Sequence, residues 1–200
     1  MSNKGTGAGG ANTNKNGKAF EEATSHLPHL TGFTLHPIPG KKGKYDTYHE
    51  KQNDEETITY LSQGGLKSYF AWKFGIEMIR HPDEAYLIQR GKQYTLRVLE
   101  KKNQNVEGSV DTKLLAGPMI QEEYKMCLEE KQEEKQEEKQ EEPQFKVEYA
   151  FCLSNFLKES YVSNAKKWAL LRAINQKYGI RVFFGDDETY HEQLDKWIMG

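Results

Sequence analysis

The chain has 200 residues, 12% of them aromatic, and a formal charge of −2, long enough to bury one real core. No apolar run approaches a membrane span and no charged-then-apolar leader opens the chain, so neither membrane insertion nor secretion is expected. The two cysteines, Cys127 and Cys152, stand far apart in no metal spacing. This argues for a reducing, cytoplasmic setting and against a disulfide framework or a cysteine zinc site.

Residues 1–15 are Gly, Asn, Ser, Thr and Lys with almost nothing apolar, which reads as a disordered, weakly basic tail. Gly5-x-Gly7-x-x-Gly10 matches a dinucleotide-binding pattern only formally, because no strand precedes it. Residues 16–200 read as one domain. From Asn16, the residues Phe20, Ala23 and Leu27 recur at helical spacing and Pro28 ends the helix. Glu21 and Glu22 flank that stripe, where an acid serves equally as a metal ligand or as a solvated edge. Thr31 to Gln63 holds two prolines, several glycines and the cluster Lys41-Lys42-Gly43-Lys44-Tyr45. It reads as a long loop, either a DNA-contacting segment with lysines on phosphates or a solvated connection. Leu66, Tyr69, Phe70 and Phe74 predict a helix stopped near Gly75.

The segment from His81 to Lys113 carries the chemistry. Glu84 to Gln89 and Tyr94 to Lys102 are rich in strand formers, and Gly91-Lys92 between them is turn chemistry. A β-hairpin turning on those two residues pairs Arg90 with Gln93, Leu87 with Leu96, Ala85 with Val98, and Asp83 with Glu100. Opposed residues share a face, and the period of two puts Lys102 there as well, with Lys101 on the other face. On that reading Lys101 can be truncated with little effect on activity. Two opposed carboxylates destabilise a sheet unless a cation sits between them, and a hard divalent ion with oxygen ligands is the natural occupant. The pattern is short, and Glu100 and Lys102 would also suit a surface pair with Asp83 capping its strand. A one-residue slip would separate the acids.

Beyond Gln104, Val110, Leu114, Leu115 and Ile120 to Met126 suggest a helix interrupted near Gly117-Pro118. EEKQ then repeats three times before EEPQ, from Glu129 to Gln144. Lysine falls on lysine and glutamate on glutamate at i, i+4, which is repulsive in a helix, so residues 129–144 read as a flexible or frayed acidic insertion. Glu129 to Glu142 carries −5, which leaves +3 on the rest of the chain, a balance compatible with a polyanionic partner. Phe145, Val147, Tyr149 and Phe151 alternate as a strand. Ser163-Asn164 can cap a helix with Trp168, Leu171, Ile174 and Tyr178 inward and Gly179 past its end. Ile180 to Phe184 is a short strand, and Tyr190, Leu194, Trp197 and Ile198 form a final amphipathic helix. The order predicts an α/β (α+β) fold, a mixed sheet flanked by helices.

Pro82-Asp83 followed by Glu100-Lys101-Lys102 resembles the PD-(D/E)XK nuclease superfamily, in particular its type II restriction endonuclease-like members. The run Glu100-Lys101-Lys102-Asn103-Gln104, then Glu107 to Lys113, is similar to the strand-to-helix exit in part of that group. The resemblance covers roughly Asn16 to Ile198 in element order. It implies a restriction endonuclease-like core with a catalytic hairpin, and Mg²⁺-dependent hydrolysis of phosphodiesters in double-stranded DNA, Mn²⁺ being able to substitute. It implies Asp83, Glu100 and the main-chain carbonyl of Lys101 as metal ligands. Lys102 is implied as the group acting on the attacking water and the developing negative charge. The form Gly-x-x-Phe-Glu implies a further carboxylate, Glu21. Gln104 and Lys113, with Lys41, Lys42 and Lys44, are the expected DNA contacts, and a homodimer is a further expectation. A junction or repair nuclease, or a non-catalytic DNA-binding protein of the same fold, are the alternatives.

Overall fold

The computed structural model describes the backbone of residues 10–43, 46–104, 110–134 and 143–200, and the side chains of these except 10–15 and 130–134. The chain builds a seven-stranded mixed sheet whose strands follow one another in sequence order. β1 (Thr34–Pro37), β2 (Thr47–Gln52), β3 (Thr57–Ser62), β4 (Glu84–Arg90) and β5 (Gln93–Lys102) are antiparallel neighbours. β6 (Gln144–Leu153) and β7 (Arg181–Phe184) continue the sheet in parallel with β5. This is the mixed sheet flanked by helices that the element order predicts.

The hairpin has the expected register. Ala85 lies opposite Val98, Leu87 opposite Leu96, and Arg90 opposite Gln93. Gly91 supplies the positive φ, 59°, that the turn needs. Ala85, Leu87, Leu96, Val98, Val147, Tyr149 and Phe151 face one core with α2 (Gly65–Lys73), α3 (Val110–Leu115), α4 (Gly117–Glu134), α5 (Asn155–Val162) and α6 (Lys166–Lys177). Tyr86, Ile88, Leu99 and Cys152 face a second core with α1 (Gly10–Ala23) and α7 (Tyr190–Met199). Both cysteines are free and buried. Among the described residues no helix is long and apolar enough to cross a membrane.

Several expectations are corrected. The stretch read as a loop from Thr31 to Gln63 holds three strands. β1 at the sheet edge is mostly exposed and β2 is half-buried along most of its length, so neither carries the apolar alternation that marks a strand. The helix around Phe20 ends at Ala23, and Ala23 and Leu27 are exposed. Thr24, one turn beyond Phe20, takes the buried place instead. Helix α1 begins at Gly10, inside the stretch expected to be a tail, while residues 1–9 lie outside those described. α5 was not anticipated, and α6 starts after Ala165 with no side-chain cap from Ser163 or Asn164. In α6 Asn175, bonded to the Tyr161 hydroxyl at 3.1 Å, occupies the core position while Tyr178 is exposed. α4 runs into the acidic repeat as far as Glu134, and residues 135–142 lie outside the described residues.

Candidate active site

The site forms where β4 begins and β5 ends. Asp83 sits one residue before β4, and its Oδ2 accepts the main-chain N–H of Lys101 at 2.6 Å. That bond ties the aspartate to the neighbouring strand. Continuing the register by one pair sets Asp83 across from Glu100. The Lys102 ammonium donates to Glu100 Oε1 at 2.5 Å, both side chains being about a fifth to a quarter exposed. The Lys101 side chain leaves on the other face and is buried against Glu84, at 3.0 Å. The alternation of a pleated strand therefore divides two consecutive lysines between two faces.

Three carboxyls share this corner and all are pushed above their ordinary range. For Asp83 burial is the main cause, opposed by the Lys101 N–H and the Lys102 charge. For Glu100 burial again leads, with the Lys102 ammonium opposing it and Asp83 adding to it. Glu21, exposed at the end of α1, is raised by partial burial and then by Asp83. The structure thus brings Glu21 within electrostatic reach of Asp83 and of both lysines.

A cleft of 480 Å³ opens on Glu100, lined by Ile79, Arg80, His81, Ile120, Glu123 and Tyr124. Arg80 donates to Glu123 at 2.8 Å and its charge also reaches Glu100. Tyr149 is buried on the face of β6 that adjoins Glu100, and its hydroxyl has no hydrogen-bond partner among the described residues. The charges of Glu100 and Asp83 both act on it. Sequence reasoning missed Arg80, Tyr124 and Tyr149. Arg80 stands three residues before Asp83, a usable signal, whereas Tyr149 is indistinguishable from the apolar alternation around it.

The donor set suits a hard cation: two crowded carboxylates with raised proton affinity, adjacent main-chain oxygens, and an orphaned hydroxyl able to meet a bound water. Among the described residues no three His, Cys, Asp or Glu side chains group to hold a metal ion. Asp83 and Glu100 stand as a pair, with Glu21 in electrostatic reach of Asp83.

The expected DNA contacts are more scattered. Gln104 follows β5, its N–H near the Ser154 hydroxyl at 3.3 Å, and lines a cleft of 400 Å³ with Asp111, Ser160 and Trp168. Lys113 is exposed on α3. Lys41 and Lys42 are exposed in the connection from β1 to β2. Lys41 lines a separate cleft with Lys67 and Ser68 that shares no residue with the one at Glu100. Lys44, like Glu107 to Ser109, lies outside the described residues. Comparison with known proteins finds no matching family model, no matching curated protein and no matching solved structure.

Proposed function

We propose that this protein is a metal-dependent deoxyribonuclease that hydrolyses phosphodiester bonds in double-stranded DNA, of the restriction endonuclease-like kind and acting in the cytoplasm. The observation that carries the reading is the hairpin register. It sets Asp83 across from Glu100 with Lys102 bonded beside them, and the end of α1 adds Glu21 to the same corner. Asp83 and Glu100, with the main-chain carbonyl of Lys101, would hold Mg²⁺, and Mn²⁺ would fit the same oxygens. Such an ion, when bound, neutralises phosphate charge and makes a bound water more acidic.

The chain's own groups do the rest. The Lys101 N–H orients Asp83, so that one carboxylate oxygen is fixed and the other is left for the cation. Lys102 presents an ammonium beside Glu100 that can orient the attacking water and stabilise charge developing on the phosphorane oxygens. Arg80 at the mouth of the cleft supplies a permanent cation for the phosphodiester. Gln104 and Lys113, with Lys41 and Lys42, would contact the DNA backbone. Two copies acting together would cut both strands.

The test is cleavage of mixed plasmid DNA with and without Mg²⁺ by the wild type and by Lys102→Ala. Wild type should cut only with the metal. Lys102→Ala should lose at least about a hundredfold in rate while DNA binding stays within a few-fold, because the lysine acts on the transition state. Cleavage by Lys102→Ala at the wild-type rate would remove the nuclease reading and leave DNA binding as the function to test. Discrete bands indicate a sequence-specific enzyme; cleavage confined to branched substrates indicates a junction nuclease.

A further inference from the structure

The groups on the opposite face of the hairpin are unusual for a core. Glu84 and Lys101 side chains are 3% and 2% exposed. Three acceptors surround the ammonium: Glu84 Oε1 at 3.0 Å, the Thr24 carbonyl at 3.0 Å and the Glu21 carbonyl at 3.2 Å. A lysine has three N–H bonds to give, and here each has a target. Two of the targets are carbonyls at the C-terminal end of α1, where a helix leaves such groups without intrahelical partners and where a cation is favourable. α1 has no basic residue in its own last turn. The sheet supplies the charge that the helix lacks.

The remaining grip on that helix end is slight. Phe20 is the single buried apolar residue among the described side chains of α1. Tyr190 donates to the Thr24 carbonyl at 3.2 Å. The Glu84 carboxylate extends the hold past the helix, its Oε1 accepting the His26 N–H at 2.9 Å. A buried ion pair is a poor source of stability against an apolar replacement, but it fixes geometry where apolar contact would allow sliding. The position being fixed here is that of Glu21, whose own carbonyl is one of the three acceptors.

We infer that the buried Glu84–Lys101 pair is a clamp docking the C-terminal turn of α1 onto the sheet, and that it thereby holds Glu21 within reach of Asp83. Lys101 is then a positioning residue with two outputs: its N–H orients Asp83 and its ammonium places Glu21. The inference rests on the nuclease reading for the use of Glu21, but the docking of α1 does not.

The experiment uses the full chain with Glu84→Gln and Lys101→Met together, which removes both charges and so avoids stranding one of them. Amide exchange should quicken at least about tenfold at Phe20 to Ser25 while β5 and β6 keep their protection. Mn²⁺ affinity, measured by calorimetry without DNA, should fall about tenfold, as when a group supporting a metal ligand is lost. Glu21→Gln should cause a loss of similar size, and adding it to the double variant should cost little more. Unchanged exchange at the end of α1 would overturn the clamp. Metal losses that simply add would overturn the link to Glu21. Failure of the wild type to bind Mn²⁺ would refute the metal-dependent reading, and the exchange measurement alone would then decide the clamp.

Discussion

Replacing Lys101 alone by Met tests the depth of this charge pair. The side chain is of similar length and apolar, so the perturbation is loss of the ammonium. What remains is a carboxylate 3% exposed. Glu84 keeps the His26 N–H at 2.9 Å, the Tyr86 hydroxyl at 3.0 Å and the Tyr60 hydroxyl at 3.4 Å. Breaking a buried pair by removing one partner costs about 3–5 kcal/mol, and three surviving donors place the expected loss near the lower end, about 3 kcal/mol. In urea, with a slope of about 2 kcal/mol/M, the midpoint should drop by about 1.5 M at constant slope. The matched variant is Lys102→Met, one residue away. Its partner Glu100 is about a quarter exposed, so the loss should stay within about 1 kcal/mol. Adding Glu84→Gln to Lys101→Met should recover at least about 1.5 kcal/mol, because the stranded charge is gone. Equal losses for the two lysines, or no recovery with Glu84→Gln, would refute the assignment of faces. The burial of Lys101 adds a stability cost to its truncation, separate from the effect on activity that the sequence addresses.

Asp83→Asn should leave the metal-free protein at least as stable as wild type at neutral pH, since the amide oxygen can still accept the Lys101 N–H. In wild type the raised Asp83 carboxyl means that the folded state binds its proton more tightly than the unfolded chain does. Stability should therefore fall as pH rises from the ordinary aspartate range through the raised value. Asp83→Asn should flatten that part of a urea-midpoint profile, and an unchanged slope would refute the raised carboxyl and its burial. Gly185→Ala should cost about 1–3 kcal/mol by overpacking, because a Cβ there would meet Thr24 Cγ2 at 2.5 Å and Phe20 Cζ at 2.8 Å; thermal or urea unfolding measures it. Exchanging residues 131–142, with six glutamates and three lysines, for a glycine–serine linker of equal length should preserve folding. Among the described residues the buried ones nearest the segment are Leu128 before it and Val147 after it. The same exchange should tighten DNA binding, most at low salt in a filter or anisotropy titration.

The hairpin was legible because its signals agree: β-branched and aromatic residues, a Gly-Lys turn, and an apolar face that allows only one register. β6 was legible by its alternation, β7 as a short apolar run and α7 by its helical spacing. β1 and β2 were not, since a strand at a sheet edge with both faces partly wet shows no alternation to read. Register placed Asp83, Glu100 and Lys102 on one face, and their roles, like that of Glu21, could be assigned only through a resemblance. Tyr124 and Tyr149 approach Glu100 through the packing of α4 and β6 on the hairpin, contacts with no local pattern, whereas Arg80 stands close to Asp83 in the sequence. The Glu84–Lys101 pair stayed hidden for a different reason. Period two shows that Lys101 faces away from Lys102, but not whether it meets water or the end of a helix.

That hidden pair bears on how the site keeps its geometry. β5 is paired with β6 along its length and with β4 from Gln93 to Leu99, and a slip of one residue would turn Leu96 and Val98 away from the core they fill and carry a neighbouring charge, Glu100 or Lys102, into the place of Lys101. A wrong register would thus disturb a core and the buried Glu84–Lys101 pair at once. The carboxylate corner inherits much of its precision from this penalty, since Asp83 raises the carboxyls of both Glu100 and Glu21, while the Lys101 N–H and the Lys102 ammonium hold Asp83 and Glu100 in place. A site of mutually repelling acids needs a scaffold that cannot relax to relieve them. The central strand, locked by apolar residues along its face and by a fully bonded lysine near its end, provides one.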